Sequence, residues 1–289
     1  MNYSKDPKIK KLIKAALAED IGKGDITNEF LCLEGKKVQA IISAGSKGIV
    51  CGLDIARLAF KLLDKSLKFN ALVKDGKQIR KGEVIAKING KASSILSAER
   101  VALNFLGLLS GISTRTAEFV KRVRDYNLKI MDTRKTLPGL RQLQKYAVRL
   151  GGGHNHRFRL DEMIFIKDNH LEALGNRLTN LKCMLTKVSR KAASAMKIEI
   201  EVTNLQEFRF AIKVDPDIIM LDNMSVSQVK RAVEIRDRLA PKLILETSGN
   251  IDLKNIRAYA QAGVDIISLG TLTKDIRCLD LSLGIRKGG

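Results

Sequence analysis

The sequence predicts an α/β fold: a βα barrel in the later part of the chain, preceded by a smaller α+β unit. Three observations carry this reading. From Leu128 onward six short apolar runs alternate with helical stretches, and such alternation requires parallel strands joined by crossover helices. Before that point the chain is instead broken into short alternating segments by Asp75-Gly76, Lys81-Gly82 and Asn89-Gly90. Finally, no GxGxxG follows the first strand of the later part and GxxxxGK[ST] is absent, which sets a dinucleotide fold and a P-loop aside. Between a closed barrel and an open doubly wound sheet, the barrel is favoured.

Taken in order, residues 7–20 have helical spacing, ended by Gly22 and Gly24. Gly24-Asp-Ile-Thr27 reads as a turn. Val38 to Gly52 and Phe69 to Gly90 read as short β-segments, with helical spacing between them from Leu53 to Lys65. Residues 93–109 form a helix with Ala98, Val101, Leu103, Phe105 and Leu106 as its apolar positions. Ser110-Gly111 is expected to break it, with a second helix over 114–126. The expected strands of the barrel are 128–131, 163–166, 197–202, 217–221, 242–245 and 265–269, with helices at about 172–194, 204–213, 225–239 and 252–262.

The 289 residues are enough for two domains, and 45% hydrophobic content fits a globular chain. The net charge of +21 calls for an anionic partner: nucleic acid, an acidic membrane surface, or phosphorylated and carboxylated metabolites. Nucleic acid is disfavoured, because there is no Trp, aromatics make up only 4%, and no zinc-finger or RNP-like motif occurs. No apolar run reaches transmembrane length, and the lysine-rich N-terminus lacks an apolar signal core, so no membrane role is expected. Cys32, Cys51, Cys183 and Cys278 are scattered without a CxxC pair, which makes a reducing cytoplasm the default compartment.

The charge that matters is concentrated between Met131 and His170, with five arginines, three lysines and all three histidines. It falls where strands end, and in βα barrels chemistry collects at the C-terminal strand ends. Those ends carry, in order, Arg134 and Lys135; Lys167 and Asp168; Glu201; Asp222 and Asn223; Glu246 through Asn250; and Ser268, Gly270 and Thr271. The cations suit a small, highly anionic ligand; a solvated basic loop is the bland alternative. Ser248-Gly249 and Leu269-Gly270-Thr271 are small-residue exits whose amides suit phosphate. Glu201 and Asp222 either neutralise the lysines or hold a hydrated Mg²⁺ and stabilise a developing cation. His154 and His156, one residue apart on a glycine loop, lack the spacing of a zinc enzyme, and His170 is expected to cap the next helix.

These motifs also carry a family resemblance. Asp132-Thr-Arg-Lys-Thr-Leu-Pro-Gly-Leu-Arg141, Lys145-Tyr-Ala-Val-Arg149, Gly151-Gly-Gly-His-Asn-His-Arg157 and Ile166-Lys-Asp-Asn-His170 resemble quinolinate phosphoribosyltransferases. So do Gly24-Asp-Ile-Thr27, Glu99-Arg100 with Asn104, Leu221-Asp-Asn223, Leu245-Glu-Thr-Ser-Gly249 and Gly263-Val-Asp-Ile-Ile-Ser268. The resemblance implies an incomplete six-stranded barrel over 111–272, with an N-terminal α+β domain over 1–110 to which 273–289 returns. It implies that quinolinate and phosphoribosyl pyrophosphate react with Mg²⁺ to give nicotinate mononucleotide, pyrophosphate and CO₂, in the synthesis of NAD. A homodimer with shared active sites is implied, or a higher oligomer built from it.

By motif, the resemblance places Thr133, Arg134, Lys135, His156, Arg157 and Lys167 around quinolinate, with Arg100 arriving from the neighbouring subunit. Glu201 and Asp222 serve the Mg-pyrophosphate and ribose side, the metal bound directly or through water. Ser248, Gly249, Asn250, Leu269, Gly270 and Thr271 line the phosphate site, and Lys135, Lys167, Glu201 and Asp222 are the expected catalytic set. One departure stands out: Leu272-Thr-Lys-Asp275 replaces the family's Leu-Thr-His-Ser. Molybdenum-transport-associated phosphoribosyltransferase-like proteins share some of these features, and a basic polyanion-binding protein is the non-enzymatic alternative.

Overall fold

Pro7 opens the first helix because its missing N–H costs nothing there, and the Asp6 side chain caps the helix by accepting the Lys8 amide at 2.8 Å. This helix, α1 (Pro7–Ile21), buries Ile9, Ile13 and Leu17 at fourfold spacing and stops at Gly22, whose φ of 59° lies in the left-handed region. The computed structural model describes residues 3–175 and 196–286. Contacts divide the chain into two units. One is drawn from residues up to Thr116, from Leu137–Gly152 and from Asp275 onward; the other from Ala117–Thr136 and Gly153–Lys274.

In the first unit the expected turn at Gly24 to Thr27 becomes a short helix, α2 (Ile26–Phe30), because the Asp25 carboxylate accepts the Asn28 amide at 3.1 Å. Strands β1 (Lys37–Ala44), β2 (Gly48–Ile49), β3 (Lys68–Ala71), β4 (Gln78–Ile79) and β5 (Val84–Lys91) surround α3 (Leu53–Leu63) in the sequence. The main sheet is antiparallel, in the order β12 (Leu281–Arg286), β1, β5, β3. Its outer strand β12 comes from the far end of the chain, pairing Gln39 with Arg286 and Ala44 with Leu281.

Helix α4 (Ala92–Arg122) runs unbroken through Ser110-Gly111, which corrects the expected break. The small residues serve packing. Ser110 Oγ accepts the Cys51 amide at 2.9 Å, and a side chain at Gly111 would collide with the Arg277 carbonyl. By length and composition α4 could cross a membrane, contrary to the sequence expectation, but 67% of its most apolar stretch is buried within the fold.

Helix α5 (Arg141–Leu150) falls where the sequence was assigned no element. It buries Leu143, Ala147 and Val148. The Ser113 hydroxyl donates to the Ala147 carbonyl at 2.8 Å, and the Tyr146 hydroxyl donates to Asp75 at 3.0 Å. Residues 137–152 thus pack in the first unit, where sequence placed them in the barrel.

The second unit is a six-stranded parallel sheet. Its strands are β6 (Lys129–Met131), β7 (Ile164–Ile166), β8 (Ile198–Val202), β9 (Ile218–Asp222), β10 (Ile244–Ser248) and β11 (Ile266–Ser268). Their order is β6-β11-β10-β9-β8-β7, so the first and second strands in sequence form the two edges of an incomplete, barrel-like sheet. Helices α6 (Asp168–Ala173), α7 (Leu205–Ala211), α8 (Val226–Leu239), α9 (Ile256–Gln261) and the single turn α10 (Thr271–Lys274) follow strands, as parallel pairing requires. Most of the helix expected at 172–194 lies outside the described residues.

Candidate active site

Side chains alternate across a strand, so Glu199 and Glu201 share one face of β8 while Ile198, Ile200 and Val202 occupy the other. The same parity puts Glu246 and Ser248 together on β10, and Met220 and Asp222 on β9. A cavity of about 520 Å³ opens at the C-terminal ends of these strands. Its lining includes Thr133, Arg134, Lys135, His156, Arg157, Lys167, Glu201, Asp222, Ser248, Gly249 and Asn250. Phe165, Met220, Asn223, Ser268 and Lys274 complete it; the sequence had put Asn223 and Ser268 at strand ends but had not assigned Phe165, Met220 or Lys274 to the site.

Asp132 anchors the cationic side. It is fully buried at the end of β6, and its carboxylate accepts the His156 amide at 2.9 Å and the Asn155 side-chain amide at 2.6 Å. The Asn155-His-Arg157 segment is thereby tied to Arg134 and Lys135, which follow the same strand. Arg157 then donates from Nη1 to the Met163 carbonyl at 2.9 Å, and its guanidinium lies 5.0 Å from the centre of the Phe165 ring. Lys167 Nζ lies 4.7 Å from that ring. Burial, and then the nearby Arg134 charge, lowers the Arg157 pKa, as expected where like charges converge.

The acidic side is ordered differently. Lys167 Nζ donates to Glu201 Oε2 at 3.3 Å. Burial raises the Glu201 pKa, while Lys167 opposes that rise. Asn223, with φ of 52°, donates to Asp222 Oδ2 at 2.7 Å and accepts from the Asn250 side chain at 3.1 Å. Gly249 has φ of 96°, and a Cβ there would overlap the Asn223 side chain. The loop after β10 therefore needs glycine twice over, for its backbone and for its closeness to Asn223.

Several expectations need adjustment. Glu246 is not at a strand exit: β10 extends to Ser248 and leaves Glu246 wholly buried inside the sheet. Leu269 is buried and its amide is spent on the Met131 carbonyl at 2.9 Å, so that N–H is not open to phosphate. Gly270 packs against the Lys135 side chain and Thr271 begins α10, but neither lines the cavity. Arg100 is exposed on the part of α4 that belongs to the first unit and is not among the lining residues. Arg141, Lys145 and Arg149 also belong to the first unit. His154 faces a separate cavity that Ile218, Ile244 and Ile266 help to line. His170 does cap α6: its Nδ1 accepts the Lys167 amide at 2.9 Å. The departure at Lys274 places one more cation in the lining.

Lys274 could have been found from its place one turn past a strand exit. Phe165 and Met220 carried no such signal, since apolar residues in buried strands are the rule.

The comparisons agree with this geometry. Family models for the quinolinate phosphoribosyl transferase N-terminal and C-terminal domains match residues 25–110 and 112–284. The chain is 43% identical over 278 residues to a probable nicotinate-nucleotide pyrophosphorylase (carboxylating) of Bacillus subtilis, covering 96% of this chain and 93% of that one. It is 39% identical to the nicotinate-nucleotide pyrophosphorylase (carboxylating) of Mycobacterium leprae, over 94% and 95% of the two chains. The solved nicotinate-nucleotide pyrophosphorylase of Francisella tularensis superposes with a TM-score of 0.88 at 40% identity, covering 99% of both chains. Two domain models in tandem, near-complete coverage and the same fold lead to one conclusion: the chain belongs to the quinolinate phosphoribosyltransferase family.

Proposed function

We propose that the cavity joins quinolinate to phosphoribosyl pyrophosphate, as a nicotinate-nucleotide pyrophosphorylase (carboxylating) in NAD biosynthesis. One observation carries the assignment of the site: Arg134, Arg157 and Lys167 line the same small cavity as the two carboxylates Glu201 and Asp222. Adjacent carboxylates on a pyridine ring need several converging cations, and guanidinium groups meet carboxylates in bidentate fashion. A pure polyanion-binding surface gains nothing from acids in its pocket.

Arg134, Lys135, Arg157 and Lys167 take the ring carboxylates, and Lys274 faces the phosphates. Ser248, Gly249 and Asn250 receive the phosphoribosyl end. As the bond from ribose C1 to pyrophosphate breaks, positive charge grows on the sugar, and Glu201 and Asp222 stabilise it. The pyridine nitrogen forms the new bond to C1 and becomes cationic. The bond from ring C2 to its carboxylate then breaks, its electron pair passes to the ring, CO₂ leaves, and C2 takes up a proton. No side-chain nucleophile is required.

The donor set suits a hard divalent cation. Glu201 and Asp222 offer oxygen ligands at the ends of neighbouring strands, and burial holds Glu201 above its ordinary pKa, a shift that a cation beside it would reverse. Mg²⁺ held there, directly or through water, would neutralise the departing pyrophosphate. Exposed Arg100 is assigned to the active site of a second copy, in a homodimer with shared sites. Free Cys32, Cys51 and Cys278 support a cytoplasmic setting.

The test is incubation with quinolinate, phosphoribosyl pyrophosphate and Mg²⁺. CO₂ and nicotinate mononucleotide should form in equal amounts; absence of both would overturn the assignment.

A further inference from the structure

Beneath the cations lies a group that none of these steps uses. Glu199 on β8 and Glu246 on β10 are wholly buried, and their four carboxylate oxygens have no hydrogen-bond partner among the described residues. His156 Nε2 stands 3.0 Å from Glu199 Oε2 and 3.7 Å from Glu246 Oε2, without the alignment of a hydrogen bond to either. As a donor set, the three side chains could hold a metal ion.

The other ring nitrogen decides against that. Nδ1 accepts the Arg157 backbone N–H at 2.8 Å and so carries no proton. A neutral imidazole must then carry its proton on Nε2, the atom that faces the two acids. A protonated Nε2 cannot ligate a metal. An imidazolium would need a second proton on Nδ1, where the Arg157 amide proton already points. His156 is thus a neutral N–H group directed at an acid pair.

What His156 does with its remaining surface gives the arrangement a purpose. Its ring packs on Phe165 at 5.7 Å between centroids, and Phe165 is the ring beneath both Arg157 and Lys167. The imidazole therefore reaches Arg157 by two routes, through the amide and through the aromatic platform.

We propose that Glu199 and Glu246 are positioning residues acting through a neutral His156. The acid pair orients the imidazole, and the imidazole fixes the Arg157 amide and backs Phe165. The positive charge met by the ring dicarboxylate comes from Arg134, Lys135, Arg157 and Lys167, and none of it from His156. The proposal rests on the assignment of Arg157 to the dicarboxylate; the tautomer does not.

Two measurements test it on the full-length protein. Nitrogen NMR of histidine-labelled wild type, with His156 assigned by its loss in His156→Asn, should show one protonated and one bare ring nitrogen. Two protonated nitrogens would overturn the proposal. So would stoichiometric metal retained by chelator-treated wild type and lost in Glu246→Gln.

Calorimetry then reads quinolinate affinity. His156→Asn keeps an acceptor for the Arg157 amide and should retain more quinolinate affinity than His156→Leu. His156→Leu and Glu246→Leu should each lose about tenfold, the scale of one charged hydrogen bond set out of place, with phosphoribosyl pyrophosphate affinity unchanged. Glu246→Gln should lie between wild type and Glu246→Leu. Should His156→Asn bind as weakly as His156→Leu, the imidazole itself serves the substrate and the positioning role fails. Undiminished binding in Arg157→Leu would instead sink the underlying site assignment, leaving the tautomer result standing by itself.

Discussion

Lys167 and Glu201 face each other from the ends of β7 and β8, with Nζ 3.3 Å from Oε2, and the carboxylate is far the more buried of the two. Lys167 therefore has two tasks: it meets the substrate anion and it keeps a buried acid paired. Lys167→Met should weaken quinolinate binding by about 1.5–3 kcal/mol for the lost charged hydrogen bond, and should also lower thermal stability by stranding Glu201. Lys135→Met should lose only binding, and calorimetry with melting curves separates the two variants. Unchanged quinolinate binding in both would move the dicarboxylate site elsewhere.

Substrate choice follows from the charge count. A cavity that gathers Arg134, Arg157 and Lys167 leaves cations unpaired when one ring carboxylate is missing. Quinolinate should react and nicotinate should not, as followed by mononucleotide formation from each. Comparable turnover of nicotinate would undo the assignment of the cationic cluster.

Gly249 offers a probe of the opposite side. An alanine there would adopt an unfavourable φ of 96° and press on Asn223, which orders Asp222. Gly249→Ala should weaken phosphoribosyl pyrophosphate binding while leaving quinolinate binding intact. Equal losses for both ligands would mean that the two halves of the cavity are not separable.

The shared-site assignment of Arg100 can be tested by mixing. Arg100→Ala and Asp222→Ala homodimers should each be nearly inactive. If subunits exchange at random in an equal mixture, about half the dimers are mixed, and each mixed dimer holds one intact site. Activity should recover to about a quarter of wild type. Exchange confirmed by mass spectrometry with no recovery would place Arg100 in its own subunit's chemistry.

Glu246 predicts a pH dependence of stability. Burial, reinforced by the Glu199 and Glu201 charges, pushes its carboxyl up to about 8. The folded state thus binds a proton more tightly than the unfolded state, whose carboxyl titrates near 4.3. Stability from this group is complete below that pH and is lost as pH rises toward about 8. Melting temperature should fall across that window in wild type and fall less in Glu246→Gln. Parallel curves would show that the residue is not titrating there.

Much of this architecture was legible because doubly buried parallel strands read as apolar runs, as Ile218 to Leu221 and Asp265 to Leu269 do. Arg134, Lys135 and Lys167 were legible too, since they stand just after such runs, whereas Arg157 lies on the loop before β7. Ser110-Gly111 misled because a small pair marks either a break or a close approach, and only the Arg277 carbonyl beyond it distinguishes the two. Helix α5 was hidden by its charge, although Leu143, Ala147 and Leu150 carry helical spacing. Glu246 was misplaced because the apolar run ends at Leu245, while the strand continues through residues whose alternate side chains face a polar interior. Period-two counting from Glu199 and Glu201 was the available clue.

The origin of β12 has a consequence for how the protein is made. Its partner β1 leaves the ribosome more than two hundred residues earlier, so the edge of β1 waits unpaired while the intervening residues are made. Closing that pair means closing a very long loop, a slow and non-local event. Strand β12, the last of the described strands, thus completes the first sheet, and a nascent chain halted before Leu281 exposes the β1 backbone as a ready template for the wrong partner.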